Sequence, residues 1–397
     1  MANTNLTIDM ITNEALMILH QKANFLGTID RQYDSSFAKS GAKIGDTLRI
    51  RLPNEYTVRT GAALSVQDNT ETSTSLQVAT QKGVDVNFTS EELTMDIDSF
   101  SERILQPAMS VLAANIEADV MSMYKDVANQ YNNVGTAATF AGMVTGGKIL
   151  TDNLAPYEGR CLNMNTTDNV NMVDAIKGLF NAESSISSNY KEGRLGGPFA
   201  GFSDIYENTL WERHTSGSDD GTGDHKVNGA DQVGATITHS SNGSGTFKIG
   251  DVITFAGTNS VHPETKADTG VLKQFTVTAD MSASATTVSI SPAISITGSG
   301  QNSSAAPTAT GAITKVGGAS ATYGISMAYH KNAFTFATAD LVMPRGVDMA
   351  SRKSMDGISI RIVRDYDINN DKFPCRIDVL YGYKATRPQL ACRIANS

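Results

Sequence analysis

The stretch RDYDINNDKFPCRIDVLYGYKATRPQL, from Arg364 to Leu390, sets Asp365, Asp367 and Asn369 at every second position. Oxygen-bearing side chains with that spacing form the first half of a calcium-binding loop. A loop that starts at Asp365 also needs glycine at its sixth position and glutamate at its twelfth, and those positions hold Asn370 and Arg376. An arginine in place of the bidentate carboxylate repels a dication. The apolar spacing gives another reading. Ile358, Ile360 and Ile362 alternate in one arm, and Ile377, Val379, Tyr381 and Tyr383 alternate in the other. Asn369, Asn370 and Asp371 are turn formers and Pro374 closes the loop. The stretch is predicted to be a structural β-hairpin in a core sheet, with Arg361 facing Asp378 across the strands.

The rest of the sequence offers little chemistry. Six histidines and three cysteines show no metal-ligand spacing, and neither HExxH nor CxxC occurs. There is no GxSxG elbow. His330, in AYHKNAF, is a lone imidazole beside aromatic residues, a pattern of packing rather than of general base catalysis. KEGRLGGPFAGF lacks the P-loop Lys-Ser/Thr pair and reads as a loop. Met109, Met121 and Met123 fit a core better than a cofactor box. No catalytic, cofactor-binding or metal-ligating residue is expected, and the chain is not expected to be an enzyme.

The elements must therefore carry the function. The 397 residues hold 32 Lys plus Arg against 41 Asp plus Glu, a formal charge of −9. Phosphate binding by clustered cations is not expected of such a chain. No apolar run approaches the ~20 residues that a bilayer demands. MANTNLTIDMITNEALMILH has no basic start, so no signal peptide is predicted, and the three scattered cysteines fit a reducing compartment.

Thr7 to Lys22 reads as an amphipathic helix with Ile11, Ala15, Ile18 and Leu19 on one face. It either packs on its own domain or reaches a neighbour. Two alternating arms follow, Ile44, Leu48, Ile50 and Leu52, then Leu76, Val78, Val84 and Val86, with a polar tip around Gln67 to Ser75. Arms of about 15 residues would span roughly 50 Å, against a radius of gyration of about 21 Å for a compact chain of this length. Such a ribbon folds over its own body or projects, and if it projects a second copy must cover it. Arg49, Arg51, Tyr56 and Arg59 along it are the candidate subunit-interface residues, with Asp46, Glu55 and Asp68 interleaved. Deleting Lys43 to Val86 is expected to leave a folded monomer that forms no particles.

Phe100 to Tyr131 gives the strongest helical signal, with Leu105, Ala108, Leu112, Ile116, Val120, Met123 and Val127 in step and a capping-box spacing at Ser99 to Glu102. About thirty residues would make a rod of about 45 Å, and Pro107 either kinks it or marks its first turn. A second helix starts near Asp168, with Val173, Ile176 and Phe180 aligned. From about Gly221 to Thr322 the composition turns rich in Gly, Ser and Thr, with short strands such as TFKIGDVITFAG and KQFTVTAD. That pattern predicts a small antiparallel barrel or sandwich inserted into the body, which resumes at Tyr323.

The order of elements, together with AYHKNAFTFATADLVMP and SIRIVRDYDINNDKFPCRIDVLYGYKATRPQLACRI, resembles the major capsid proteins of tailed bacteriophages. The insert with IGDVITFAG resembles the insertion domain of coat proteins from short-tailed Salmonella-type phages. The resemblance implies an α+β, HK-97-like capsid fold: N-terminal arm (1–40), extended two-stranded loop (41–88), spine helix and first part of the body (89–220), inserted β-barrel (221–322) and remaining body with its hairpin (323–397). It implies a structural subunit of an icosahedral virion capsid that encloses a double-stranded DNA genome without sequence-specific binding. The partners implied are many copies of itself in hexamers and pentamers, a scaffolding protein and a portal, with assembly in the host bacterial cytoplasm and no membrane. Relatives that crosslink use a loop lysine. Here Lys43 and Lys82 lie near the ribbon base and none at its tip, so a non-covalent shell is expected. A tail-tube or adhesive β protein is the alternative reading.

Overall fold

The structure, a computed structural model, describes residues 8–34, 47–64, 66–67, 72–89, 105–176, 200–221, 225–241, 245–355, 357–370 and 372–397. It divides into two compact units, one of residues 1–51, 73–121 and 334–386, the other of 52–72, 122–333 and 387–397.

The first unit is organised by one long strand, Lys372–Ala385. One edge of it pairs antiparallel with Thr80–Thr89 over ten positions. The opposite edge carries Ile358–Arg364 along its first half and Phe334–Ala339 along its second. Met349–Met355 and Asp30–Asp34 extend the sheet outward. The hairpin predicted from Ile358 onward forms with Ile362 opposite Ile377, and Ile358, Ile360, Ile362, Ile377 and Val379 are all buried. Arg361 Nη2 donates to Asp378 Oδ2 at 2.6 Å, as the alternation demanded.

The helix Ile8–Lys22 buries Ala15, Leu16, Ile18 and Leu19 and packs on the spine helix and on the Met349–Met355 strand. Of its two sequence readings, packing on its own domain is the one observed; Thr7 and the Ile11 side chain lie outside the described residues. The spine helix runs Gln106–Met121, with Pro107 in its first turn. At 16 residues it is about half the predicted length. The chain then tightens into a 3-10 turn, Ser122–Asp126, that belongs to the second unit. The apolar period runs on because Met123, Tyr124 and Val127 are buried there as well. The capping box at Ser99 to Glu102 lies outside the described residues.

The two arms also differ from a single long ribbon. Thr47–Arg51 and Ser73–Gln77 pair over five positions, Leu48 opposite Leu76. Val84 and Val86 belong instead to the Thr80–Thr89 strand in the main sheet. Leu76 and Val78 pack with Ala337, Ala339, Leu341 and Leu380, and Leu48 and Ile50 rest against them. The ribbon thus lays its inner face on its own sheet, where each buried aliphatic side chain gains about 2 kcal/mol. Gly382 permits the close approach, since a Cβ there would lie 2.1 Å from the Gln77 carbonyl oxygen.

The second unit holds a sheet in the order Gln130–Asn132, Ala391–Asn396, Thr322–His330, Arg160–Met164, Asp204–Glu207. Its central strands are buried along nearly their whole length, polar residues such as Asn163, Ser326 and Arg393 included. The helix Phe140–Asp152 covers it, capped by Thr139 Oγ1 accepting from the Gly142 N–H at 3.1 Å.

The insert forms a second sheet in the same unit. Its order is Ile313–Lys315, Val252–Val261, Asp268–Val277, Thr287–Ile294, Gly234–Ser241, His225–Val227. The two ends of that order meet: the Val227 N–H donates to Gly311 O and the Thr310 N–H to Val227 O, each at 2.9 Å. The sheet therefore closes around Ile237, Phe247, Phe255, Phe275, Val288 and Ile313, all nearly free of solvent contact. Alternation of Phe275 and Val277 with polar neighbours is the sequence signal of this closed core.

Candidate assembly surface

Thr47–Arg51 shows solvent the face opposite to Leu48 and Ile50, and on it Arg49 and Arg51 are exposed across from Ser75 and Ser73. The ribbon closes where the Leu52 N–H donates to Thr72 O at 2.9 Å. Beyond that pair the chain runs as an extended loop. Thr57 and Gln67 hold it together, the Thr57 N–H donating to Gln67 Oε1 at 2.9 Å and Gln67 Nε2 to Thr57 O. Arg59 is exposed and donates to the Gly61 carbonyl. Of the four candidates, Arg49 and Arg51 belong to the first unit, and Tyr56 and Arg59 to the second.

The loop's apolar residues are its most telling feature. Tyr56 is 59% exposed, Val58 94%, Leu64 83% and Val66 78%. Single exposed aliphatics are ordinary on a protein surface, whereas here four apolar residues are exposed within eleven positions of one loop. Val58, Leu64 and Val66 were not singled out from the sequence. Their signal was present as apolar residues in a Gly-, Thr- and Ala-rich stretch, but an apolar residue alone does not reveal whether its own chain covers it.

The mounting of the barrel is a second structural site. Tyr124 Oη and His214 Nδ1 are 3.2 Å apart, and His214 Nε2 lies 2.9 Å from Asp251 Oδ1. Asp251 Oδ2 also accepts from the N–H groups of Gly217 and Lys248, at 2.9 and 2.8 Å. Arg393 Nη1 donates to Gly250 O at 2.6 Å, with its guanidinium 5.9 Å from the centre of the Tyr124 ring. The Gln274 amide exchanges two hydrogen bonds with the backbone of Gln130. Burial pushes the Tyr124 hydroxyl upward and the Arg393 guanidinium downward from their ordinary ranges. Gly217 is needed where the chain enters the barrel, because a Cβ there would sit 2.0 Å from Thr246 O.

The residues singled out for chemistry are absorbed by structure. Asp367 accepts from the Asn369 N–H at 3.0 Å and from Asn370 Nδ2 at 2.7 Å, so its carboxylate serves its own turn. His330 is buried, with Nε2 3.0 Å from Glu158 O, and burial first, then the nearby Lys331, lowers its pKa. All three cysteines are free and buried, and burial pushes the Cys375 thiol up to about 11. Among the described residues no group of three or more His, Cys, Asp or Glu side chains is placed to hold a metal. No helix among them is long and apolar enough to cross a membrane.

The second unit thus joins a closed barrel to a second sheet, and the chain presents a loop with exposed apolar side chains, features of a structural protein rather than of a substrate pocket. The sequence matches the family described as "P22 coat protein - gene protein 5" over residues 1–393. A search of curated proteins finds no match. Among solved structures the chain is similar to one from Mycobacterium phage Che8, at 10% identity and TM-score 0.45, over 94% of this chain and 90% of that one. It is similar to a chain from the capsid of cyanophage P-SCSP1u at 12% identity and TM-score 0.42, with 93% and 86% covered. A chain from the mature capsid of bacteriophage PhiM1 shows 10% identity and TM-score 0.43, with 92% and 85% covered. The chain belongs to the P22 coat protein family. It is a phage major capsid protein of the α+β class, and many copies of it form the icosahedral shell of the virion.

Proposed function

We propose that the shell is held together by the 52–72 loop of each copy lying on a neighbouring copy, within hexamers and pentamers, without covalent crosslinks. The observation that carries this reading is the exposure of Tyr56, Val58, Leu64 and Val66. Full burial of such side chains is worth about 1.5–3 kcal/mol each, so one loop supplies several kcal/mol per contact. A shell repeats that contact many times. Tyr56 belongs to the apolar contact, and Arg49, Arg51 and Arg59 form its rim, where charge fixes register more than affinity.

The finer parts of the reading follow from family membership. The subunit encloses a packaged double-stranded DNA genome, and its charge of −9 keeps the wall from gripping phosphates. A scaffolding protein and a portal guide assembly in the host cytoplasm. The division into arm (1–40), extended loop (41–88), first body part (89–220), insert (221–322) and remaining body (323–397) follows the same plan, with the insert on the outer surface. The role is structural and not enzymatic.

Removing 43–86 would take most of the Thr80–Thr89 strand out of the core sheet. The test is therefore confined to residues 53–71, replaced by an Asn-Gly turn that joins the hydrogen-bonded pair Leu52 and Thr72. The expected product is a folded monomer by circular dichroism and sedimentation that yields no shells in electron micrographs. Shells of ordinary size from this variant would refute the role of the loop.

A further inference from the structure

The second unit contains a cavity of about 460 Å³ bounded by the barrel, the Phe140–Asp152 helix end and the 387–390 turn. That size suits a small ligand. Its wall carries three cations, Lys266, Lys273 and Arg387, against one carboxylate, Glu55. Lys266 is the partnered one, with Nζ 3.5 Å from Glu55 Oε2 and donating to Gln301 O at 3.2 Å. Among the described residues, Lys273 and Arg387 make no side-chain hydrogen bond and meet no carboxylate at ion-pair distance. Lys273 and Arg387 are both half-buried there, so two unpartnered cations face one cavity, a placement that favours an anion.

The other polar groups of the wall are already used. Asn129 Nδ2 donates to Ala391 O at 3.1 Å, Asn153 Nδ2 to Ile149 O at 2.8 Å, and Asn302 Nδ2 to Ala293 O at 2.7 Å. Pro156, Pro263, Pro292 and Pro388 stiffen the wall and bring no N–H groups of their own. Recognition in the cavity therefore falls to the three cations. Burial holds the Lys273 amine below its ordinary range. Outside the lining, the buried Arg160 guanidinium is bonded to the Pro156 and Ala155 carbonyls and to Thr151 Oγ1, with no carboxylate among these partners. The cavity wall is thus net positive in a chain whose formal charge is −9.

We propose that this cavity is a binding site for a small free phosphate compound, taken up as a dianion between Lys266, Lys273 and Arg387. Three positive groups and one negative group leave a net charge of +2, which a dianion neutralises. The prolines and Leu154 and Leu390 give an apolar surface against which an organic substituent on the phosphate can rest. A duplex backbone does not fit into a volume of 460 Å³, so the ligand is a free molecule and not the genome.

Calorimetric titration of the full chain with pyrophosphate in chloride buffer tests the site. One pyrophosphate per chain is expected. Glu55→Gln removes the only carboxylate in the wall from an exposed side chain and is expected to tighten binding several-fold. Lys273→Met and Arg387→Gln are each expected to weaken it tenfold or more, while Lys148→Gln, at an exposed helical pair outside the cavity, leaves it unchanged. No saturable heat from the unaltered chain overturns the proposal. So does an affinity that is indifferent to Glu55→Gln, or a loss in Lys148→Gln as large as that in Lys273→Met. A neighbouring copy's carboxylates as the true occupant would appear as self-association lost in Lys273→Met with no response to pyrophosphate, and that outcome also overturns it.

Discussion

Asp251 shows how much one buried side chain can hold. Its two oxygens serve His214, Gly217 and Lys248, and these contacts fix the entry to the barrel against the Tyr124 ring and Arg393. Asp251→Ala would leave two N–H groups and an imidazole without their acceptor in a dry place. The expected cost is about 3–5 kcal/mol, read as a lower urea midpoint for the full chain. Tyr381 is a milder case. Its hydroxyl donates to Asp119 Oδ2 at 2.6 Å, and Asp119 keeps Lys82 Nζ at 2.7 Å when that donor goes. Tyr381→Phe should therefore lose only about 1–2 kcal/mol, with the ring still packed on Phe336. A larger loss would mean that the hydroxyl also orders the spine helix on the sheet.

At the scale of elements, the barrel stores a pH dependence. His225 and His239 are both fully buried, edge to face, with ring centres 4.9 Å apart. Burial first, and the neighbouring His225 second, hold the His239 pKa below its ordinary value. The unfolded imidazole takes a proton near pH 6.5 and the folded one refuses it, so stability is lost as pH falls through about 6.5. The slope is at most about 1.4 kcal/mol per pH unit, down to the folded pKa. Asp219, whose Oδ2 lies 3.6 Å from His225 Nε2, is held above the usual carboxylate range by burial and acts in the opposite sense at lower pH. His330 has the same sign as His239. The contribution of His239 is the difference between the unaltered chain and His239→Leu, and melting curves between pH 7 and 6 should show a flatter dependence for the variant. Parallel curves would place the acid sensitivity elsewhere.

At the scale of the molecule, the chain passes between its two units after Arg51, Thr72, Met121, Ala333 and Thr386. Each unit has its own sheets and buried core, and Tyr56, Val58, Leu64 and Val66 of the 52–72 loop are exposed and belong to neither core. That exposure makes the loop a clean place to interrupt assembly. Val58 is 94% exposed, so Val58→Asp should leave the melting temperature of the monomer within a degree or two. It should abolish shells, because each loop would carry an unpaired charge into a buried contact. Because the contact is mainly apolar, assembly of the unaltered chain should change little between 0.1 and 0.5 M salt by light scattering. A steep decline with salt would shift the weight of the contact to Arg49, Arg51 and Arg59.

The sequence alone settled whatever depends on nearest neighbours and strict periods. Alternating isoleucines fixed the Ile358–Arg364 and Lys372–Ala385 hairpin and even the pairing of Arg361 with Asp378, since a slip of one residue turns every side chain to the wrong face. Asn370 and Arg376 excluded the calcium loop before any fold was known. Alternation also announced the closed core around Phe275 and Val277. Other features were decided only in three dimensions. The apolar period through Met123 and Val127 looks continuous because both units bury it, so nothing local marks where the spine helix ends at Met121. Val84 and Val86 fit a projecting ribbon as well as a central sheet, and only the Lys372–Ala385 strand chose between them. Lys266, Lys273 and Arg387 carry no common motif, because a cavity joins residues by folding across more than a hundred positions of chain. Exposure of Val58 and burial of Leu76 likewise follow from what the rest of the molecule covers, and hydrophobic residues do not carry that information in their own identity.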